Sequence, residues 1–280
     1  MPFLEIEKVT KYFPGSNGMG DLCVFRDIHF HIEKGEFVTM VGHSGCGKTT
    51  LLNVIAGFET ANEGGIILDG KEVTDPGLDR MVVFQNFSLM PWMTAYENIR
   101  IAVKAAYPDW DRQRVNEYVQ QYIDMVGLTG SEHKRPAALS GGMRQRVGLA
   151  RAFAVQPKVL LLDEPFAQID ALTRGSIQEE LIRMWTATKN TVFMVTHDVD
   201  EAILLSDKIA LMTNGPEARL AEIIEVPIPR PRSRETLIDH PEYSQIRRYI
   251  LNFLIERSRK GQEQGQVVSK LSAVSDQPSA

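Results

Sequence analysis

The chain has only two cysteines, Cys23 and Cys46, in 280 residues. That is too few for a disulfide framework, and neither sits in a Cys-x-x-Cys pair or at a Cys/His metal spacing. A reducing compartment such as the cytosol suits it. Long apolar runs are missing as well. No stretch approaches the ~20 residues that span a bilayer, and the opening MPFLEIEKVTKYF lacks the apolar centre of a signal peptide. If a membrane is involved, the expectation is a protein beside it. A large excess of either charge is also missing: the net charge of -5 gives no reason to expect a nucleic-acid partner. The locally basic run of Arg230, Arg232 and Arg234 reads as a solvated loop. What remains, 43% hydrophobic and 24% charged residues, is the ordinary balance of a soluble globular protein and argues against general disorder.

Periodicity supplies the outline. Phe3, Leu4, Ile6 and Val9 alternate with Glu5, Glu7 and Lys8, and VFRDIHFHIEKGE resumes the pattern after the glycine-rich FPGSNGMGD, which predicts antiparallel strands and a turn. FVTMV at 37–41 reads as a short buried strand running into GHSGCGKTT and the apolar helix LLNVIAGF. From about Pro91 to Ala154 the chain turns helical, with Val115, Val119, Ile123 and Val126 on one side, as an inserted helical lobe. Strand signals return in KVLLLDEP and NTVFMVTHD, separated by a helix, so the expected class is α/β. Two more strand-like runs flank an Asn-Gly-Pro turn. The expected units are a domain over 1–226, a helical extension over 227–256 opened by a proline-rich linker, and a disordered tail over 257–280.

GHSGCGKT matches the phosphate-loop pattern G-x-x-x-x-G-K-[ST], with a strand before it and a helix after. Gly42, Gly45 and Gly47 let the loop, with His43, Ser44 and Cys46, curl its backbone N–H groups around phosphate oxygens. Lys48 reaches the outer phosphates, Thr49 offers a hydroxyl to magnesium and Thr50 adds a phosphate contact. Cys46 reads as a tolerated small residue, and a thiol reagent there is expected to block ATP binding. Asp163 and Glu164 end the apolar VLLLD strand, where α/β sheets place their ligands. Asp163 would hold magnesium and Glu164 would polarise an attacking water. Alone, such paired acids are often only solvated surface. His197 ends the next strand, where it can bond the γ-phosphate and orient that water. Gln85 ends another strand, in reach of both water and metal. Phe13 is a candidate to stack on adenine, with a core aromatic as the alternative.

LSGGMRQRVGLARA poses a separate question. Ser140 is a good helix cap, but Gly141 and Gly142 follow it, and a glycine in a helix costs up to about 1 kcal/mol against alanine. Either the glycines are a bare turn, or something comes close to the backbone at an anion-binding helix start.

With these motifs in this order, residues 3 to about 225 resemble the ATP-binding subunit of an ABC transporter: a phosphate-loop NTPase fold with an antiparallel β subdomain and an inserted helical one. The resemblance implies that two such subunits pair head to tail around ATP and magnesium. Ser140, Gly141 and Gly142 would then cap the γ-phosphate held by the partner, with Asp170 also at the seam. It further implies that Phe87, Leu89, Met90, Pro91, Trp92 and Met93 meet a membrane permease, unless they are only core of the helical lobe. Within the family, the stretches PGLDRMVVFQNFSLMPWMTAYENI and HPEYSQIRRYILNFLIERSRK are similar to importers of nitrate, bicarbonate, taurine and alkanesulfonates. That implies a peripheral motor on the cytoplasmic face of the inner membrane, driven by ATP hydrolysis, importing a small anion with nitrate or nitrite first. Bicarbonate, cyanate and the sulfonates are alternatives. It also implies a permease pair, a periplasmic or lipoprotein solute-binding protein, and a longer second ATPase carrying an extension that this chain lacks.

Two departures stand out: Met143 where the family usually has glutamine, and AQID at 167–170 in place of Ser-Ala-Leu-Asp, so that Gln168 and Ile169 are expected to alter the seam. Rival readings lack their marks. A soluble ABC ATPase of DNA repair or translation would carry a coiled-coil insertion or two motif sets. A GTPase would need Asn-Lys-x-Asp. A non-hydrolysing assembly module sits poorly with Lys48, Asp163, Glu164 and His197 all in place.

Overall fold

The computed structural model describes residues 2–15 and 20–256. The glycine-rich turn expected after the first strand includes residues 16–19, and that turn's tip and the expected tail over 257–280 lie outside the described residues.

In chain order the elements are β1 (Leu4–Phe13), β2 (Leu22–Ile32), β3 (Phe37–Val41), α1 (Lys48–Ala56), β4 (Glu63–Leu68), β5 (Lys71–Glu72) and β6 (Arg80–Val83). Then come α2 (Ala95–Ala106), α3 (Arg112–Met125), α4 (Gly141–Ala154), β7 (Val159–Asp163) and α5 (Ala171–Thr188). The last are β8 (Thr191–Thr196), α6 (Val199–Leu205), β9 (Lys208–Met212), β10 (Leu220–Glu225) and α7 (Arg234–Ile238), followed by a helix over residues 241–256.

The strands form two sheets. An antiparallel sheet runs β2-β1-β4-β5, and a six-stranded sheet runs β10-β9-β3-β8-β7-β6. In the second, β6, β7, β8, β3 and β9 are parallel, and only β10 pairs antiparallel at the edge. Strands β3, β7 and β8 are buried throughout, which is why they read as continuous apolar runs rather than alternating ones. Because the five strands point one way, the residues after β3, β6, β7 and β8 collect along one edge. Chain order along that edge is not spatial order: β3 lies between β9 and β8, which opens a crevice there.

Helices α2, α3 and α4 pack together, with Val115, Val119, Ile123 and Val126 buried as expected. Helix α4 does more than join the lobe, since it also packs on β6 and α5 and carries the lobe onto the sheet.

The segment after β10 corrects the sequence reading. Arg232 is not solvated: it is 7% exposed, and its guanidinium donates to the carbonyls of Val226, Ile228, Ile203 and Ser206. Two of these carbonyls sit at the end of α6, which leaves carbonyls without helical partners. Burial draws the Arg232 guanidinium down to about 10. Arg230 pairs with Asp207 and lies 4.2 Å from the Trp185 ring, and Arg234 forks onto Gln178 Oε1 at 3.0 and 2.8 Å. Proline spacing looked like a linker. Arginine's five donors make it a clamp instead.

Candidate functional site in the strand-end crevice

Residues 42–47 leave β3 and turn directly into α1. Gly47 caps that helix at φ 97°, a left-handed conformation that favours glycine, and a Cβ there would lie 2.6 Å from Val24 Cγ1 of β2. The turn is therefore wedged against the antiparallel sheet. Helix α1 starts with no side-chain cap and no acid in its first turn, so its free N–H groups face the loop as an anion site. Lys48 is buried, and its ammonium donates to the carbonyls of Gly42 at 2.7 Å and His43 at 2.9 Å. The hydrogen bonds of this buried cation go to neutral groups, which leaves its charge free to meet a phosphate. Thr50, two residues on in α1, is half-buried.

Thr49 Oγ1 donates to Asp163 Oδ1 at 2.8 Å, which joins α1 to the end of β7. Burial pushes the Asp163 carboxyl up, and the Thr49 bond and the nearby Lys48 pull it down. A hydroxyl and a carboxylate together are hard oxygen donors of the kind magnesium takes while keeping waters, so the residues fit that ion. Gln85 stands exposed two residues beyond β6 and can add an amide oxygen from the same edge.

Glu164 holds φ 42°, unusual for a residue with a side chain, and its N–H donates to Val195 O of β8 at 3.0 Å. This kink sends Glu164 toward His197 while Asp163 faces Thr49. Glu164 Oε2 lies 3.0 Å from His197 Nδ1. Two residues from separate strands, paired across 33 positions of sequence, thus meet as the motifs suggested.

Other expected residues are placed differently. His43 turns its ring away from the loop, to Leu254 O of the 241–256 helix at 2.8 Å, so only its backbone is available to a phosphate. Ser44 is exposed in the loop. Cys46 is 1% exposed and its thiol is pushed up by burial, which corrects the expectation that a thiol reagent would reach it in the folded chain. Phe13 is half-buried at the end of β1 with the Lys11 ammonium 4.9 Å from its ring centre, so it is not a core aromatic.

Ser140 caps α4 by accepting from Met143 N at 3.2 Å, and Asp170 caps α5 by accepting from Thr173 N at 2.9 Å. The bonds from Thr173 hold the Asp170 carboxyl below its ordinary value. The two glycines have a reason inside the chain. A Cβ on Gly142 would lie 2.4 Å from Thr173 Cγ2, and one on Gly141 would lie 3.1 Å from Gln168 O. Ile169, expected to alter the seam, is 4% exposed and belongs to the core, while Gln168 faces out. Met143 is partly buried against the core too.

The Phe87–Met93 segment divides. Phe87 is buried, with the Arg144 guanidinium 5.3 Å from its ring centre and its carbonyl held by Arg151, while Trp92 is 64% exposed. The core reading therefore fits Phe87, while Trp92 lies outside the core.

The sequence reading missed Arg174, Gln178 and Glu201, which surround the His197 loop. Thr196 Oγ1 donates to Glu201 Oε2 at 2.9 Å, and Gln178 Nε2 donates to Glu201 Oε1 at 3.2 Å. A polar residue on the buried side of a helix, as Gln178 and Glu201 are, was the available signal.

The ABC transporter family model matches residues 25–167. The nitrate import ATP-binding protein NrtD of Synechococcus elongatus is 48% identical over 91% of this chain and 92% of its own. The bicarbonate transport ATP-binding protein CmpD of the same organism is 46% identical over 91% of each chain. NrtC of Synechocystis, a nitrate import ATP-binding protein, is 49% identical over 92% of this chain, which spans only 38% of NrtC. A solved dimer of the ATP-binding cassette MJ0796, in a post-hydrolysis state bound to ADP and phosphate, superposes with a TM-score of 0.71 at 28% identity, covering 80% of this chain and 98% of that one. No helix among the described residues is long and apolar enough to cross a membrane. The strand-end crevice and these likenesses lead to one assignment: this chain belongs to the ABC transporter family, as an ATPase that uses ATP with magnesium.

Proposed function

We propose that this chain is the ATP-hydrolysing motor subunit of an importer for a small anion, nitrate or nitrite first. The observation that carries the hydrolytic part is the Glu164–His197 pair at 3.0 Å, set beside Thr49–Asp163 at 2.8 Å. The solute is carried by likeness to the nitrate import proteins. Bicarbonate is the second reading, favoured by the nearly equal likeness to CmpD.

In this reading Lys48 leaves the carbonyls of Gly42 and His43 and donates to the outer phosphate oxygens, while the N–H groups of residues 42–50 hold the rest and Phe13 stacks on the base. Thr49, Asp163 and Gln85 hold magnesium, which when bound neutralises charge on the phosphates. Glu164 Oε2 accepts a proton from the water that attacks the γ-phosphorus, the bond to the bridging oxygen breaks, and ADP and phosphate leave. His197 keeps Glu164 oriented and donates to the γ-phosphate.

Ser140, Gly141, Gly142 and Asp170 serve a second ATPase subunit, a longer relative in a mixed pair, across a head-to-tail seam. ATP closes the pair and hydrolysis opens it. Met90 and Trp92 pass the movement to a permease pair from the cytoplasmic face of the membrane, and a periplasmic or lipoprotein binding protein delivers the solute. Residues 1–226 form the motor unit and 227–256 its brace.

The test is hydrolysis by the chain assembled with its permease in vesicles. Glu164→Gln should bind ATP and lose 10²- to 10⁴-fold, roughly, in kcat. Stimulation of the parent by nitrate with its binding protein, and not by bicarbonate, supports the nitrate reading. Full turnover by the Gln variant removes Glu164 from the mechanism.

A further inference from the structure

We propose that Arg174 is a positioning residue for ATP hydrolysis, tying the loop that ends at Asp170 to the loop that carries His197. The inference rests on the roles proposed above for those two loops and names the joint between them.

Arg174 lies in the first turn of α5, just past the Asp170 cap. Its Nη2 donates back to Ile169 O at 3.3 Å, inside the seam loop. Its Nη1 reaches the other way, to Asp198 Oδ2 at 3.5 Å and Glu201 Oε1 at 4.0 Å. One rigid guanidinium therefore touches both loops. On the far side, His197 is bracketed. Thr196 Oγ1 accepts from Asp198 N at 3.0 Å while donating to Glu201, and Asp198 Oδ1 caps α6 through the N–H groups of Asp200 and Glu201. A shift of Asp198 must move the backbone of His197, and with it the ring that meets Glu164.

Two features mark this joint as able to move. Arg174 Nε is buried with no hydrogen-bond partner among the described residues, and its two carboxylate contacts are longer than the 2.7–2.9 Å of a tight charge-assisted bond. The cluster also borders a cavity of about 230 Å³ shared with Gln178, Asp200, Arg234 and Tyr243. Arg26, Arg80 and Arg144 share such an unpaired Nε, so what separates Arg174 from an arginine held as tightly as Arg232, at 2.6 to 3.1 Å, is its long carboxylate contacts with open space beside them. Arg174 has an unspent donor and space beside it. When a partner subunit presses on the Asp170 loop, the guanidinium can draw Ile169 and Asp198 together and set His197 against Glu164.

The test uses the full chain and two readouts. Hydrogen exchange needs no turnover. Asp198→Asn keeps a good cap for α6 but removes the charge facing Arg174, and exchange in residues 167–173 of the other loop should then rise about threefold or more. In steady-state hydrolysis, Arg174→Gln should lower kcat about tenfold with KM for ATP held within about twofold, and Arg174→Lys should recover part of the loss. Exchange that rises only around Asp198, or wild-type kcat in Arg174→Gln, overturns the proposal. A chain that never hydrolyses ATP would defeat the proposed function instead, and the exchange result would still decide the joint.

Discussion

Gly142 shows how a residue singled out by a motif can owe its size to packing. Its missing side chain lets α4 press on Thr173 of α5, because a Cβ would sit 2.4 Å from Thr173 Cγ2. Gly142→Ala should therefore destabilise the chain by about 1–3 kcal/mol through overpacking. Thr173→Ala in the same chain should restore most of that loss, read as the urea midpoint of the double variant. If the double variant stays as weak as the single one, contact with α5 is not what excludes a side chain. The sequence posed the question of these glycines and offered an external ligand or a bare turn. The packing reason was hidden because Thr173 lies 31 positions away by number. Chemistry-bearing side chains were easier to read. Lys48, Thr49, Asp163, Glu164 and His197 announce themselves by motif, and their meeting follows from parallel strands ending on one edge.

Among elements, the loop before α2 is built around Asn98. That side chain is fully buried, accepts from Met90 N at 2.8 Å, and donates to the carbonyls of Met90, Met93 and Thr94 at 3.2, 3.3 and 2.9 Å. Thr94 and Glu97 add a reciprocal cap at the start of the helix. The loop thus presents Trp92 from a fixed frame. Asn98→Ala removes the bonds to Met90, Met93 and Thr94 and leaves the part-buried Met90 N–H unpaired, which should cost about 1 kcal/mol or more and speed hydrogen exchange across residues 87–93. Unchanged exchange there would mean that the frame is set by Arg144 and Arg151 instead. Strand spans were legible at this scale because apolar runs of five or six residues cannot hide. The segment from Pro227 to Arg234 was not, since nothing in its composition distinguishes an arginine in water from one that closes the end of α6.

For the whole molecule, stability should depend on pH through carboxylates buried between units. Glu180 of α5 faces Arg146 of α4 at 3.3 Å, and burial pushes its carboxyl from the ordinary 4.5 up to about 7. Between those values the folded chain holds a proton that the unfolded chain has released. This contribution is therefore complete below about 4.5 and is lost as pH rises toward about 7. Glu180→Gln cannot titrate there, so the stability of the parent relative to the variant should fall between pH about 5 and about 7.5, read by urea unfolding. A constant difference would place the Glu180 carboxyl in its ordinary range.

Both native thiols are sealed, Cys23 at 7% and Cys46 at 1% exposure, whereas Leu172, two residues past Asp170, is 94% exposed. A cysteine substituted at Leu172 would be the one site open to a maleimide dye, with no need to strip the natural cysteines first. Fluorescence from that single label would register any protein that approaches the start of α5.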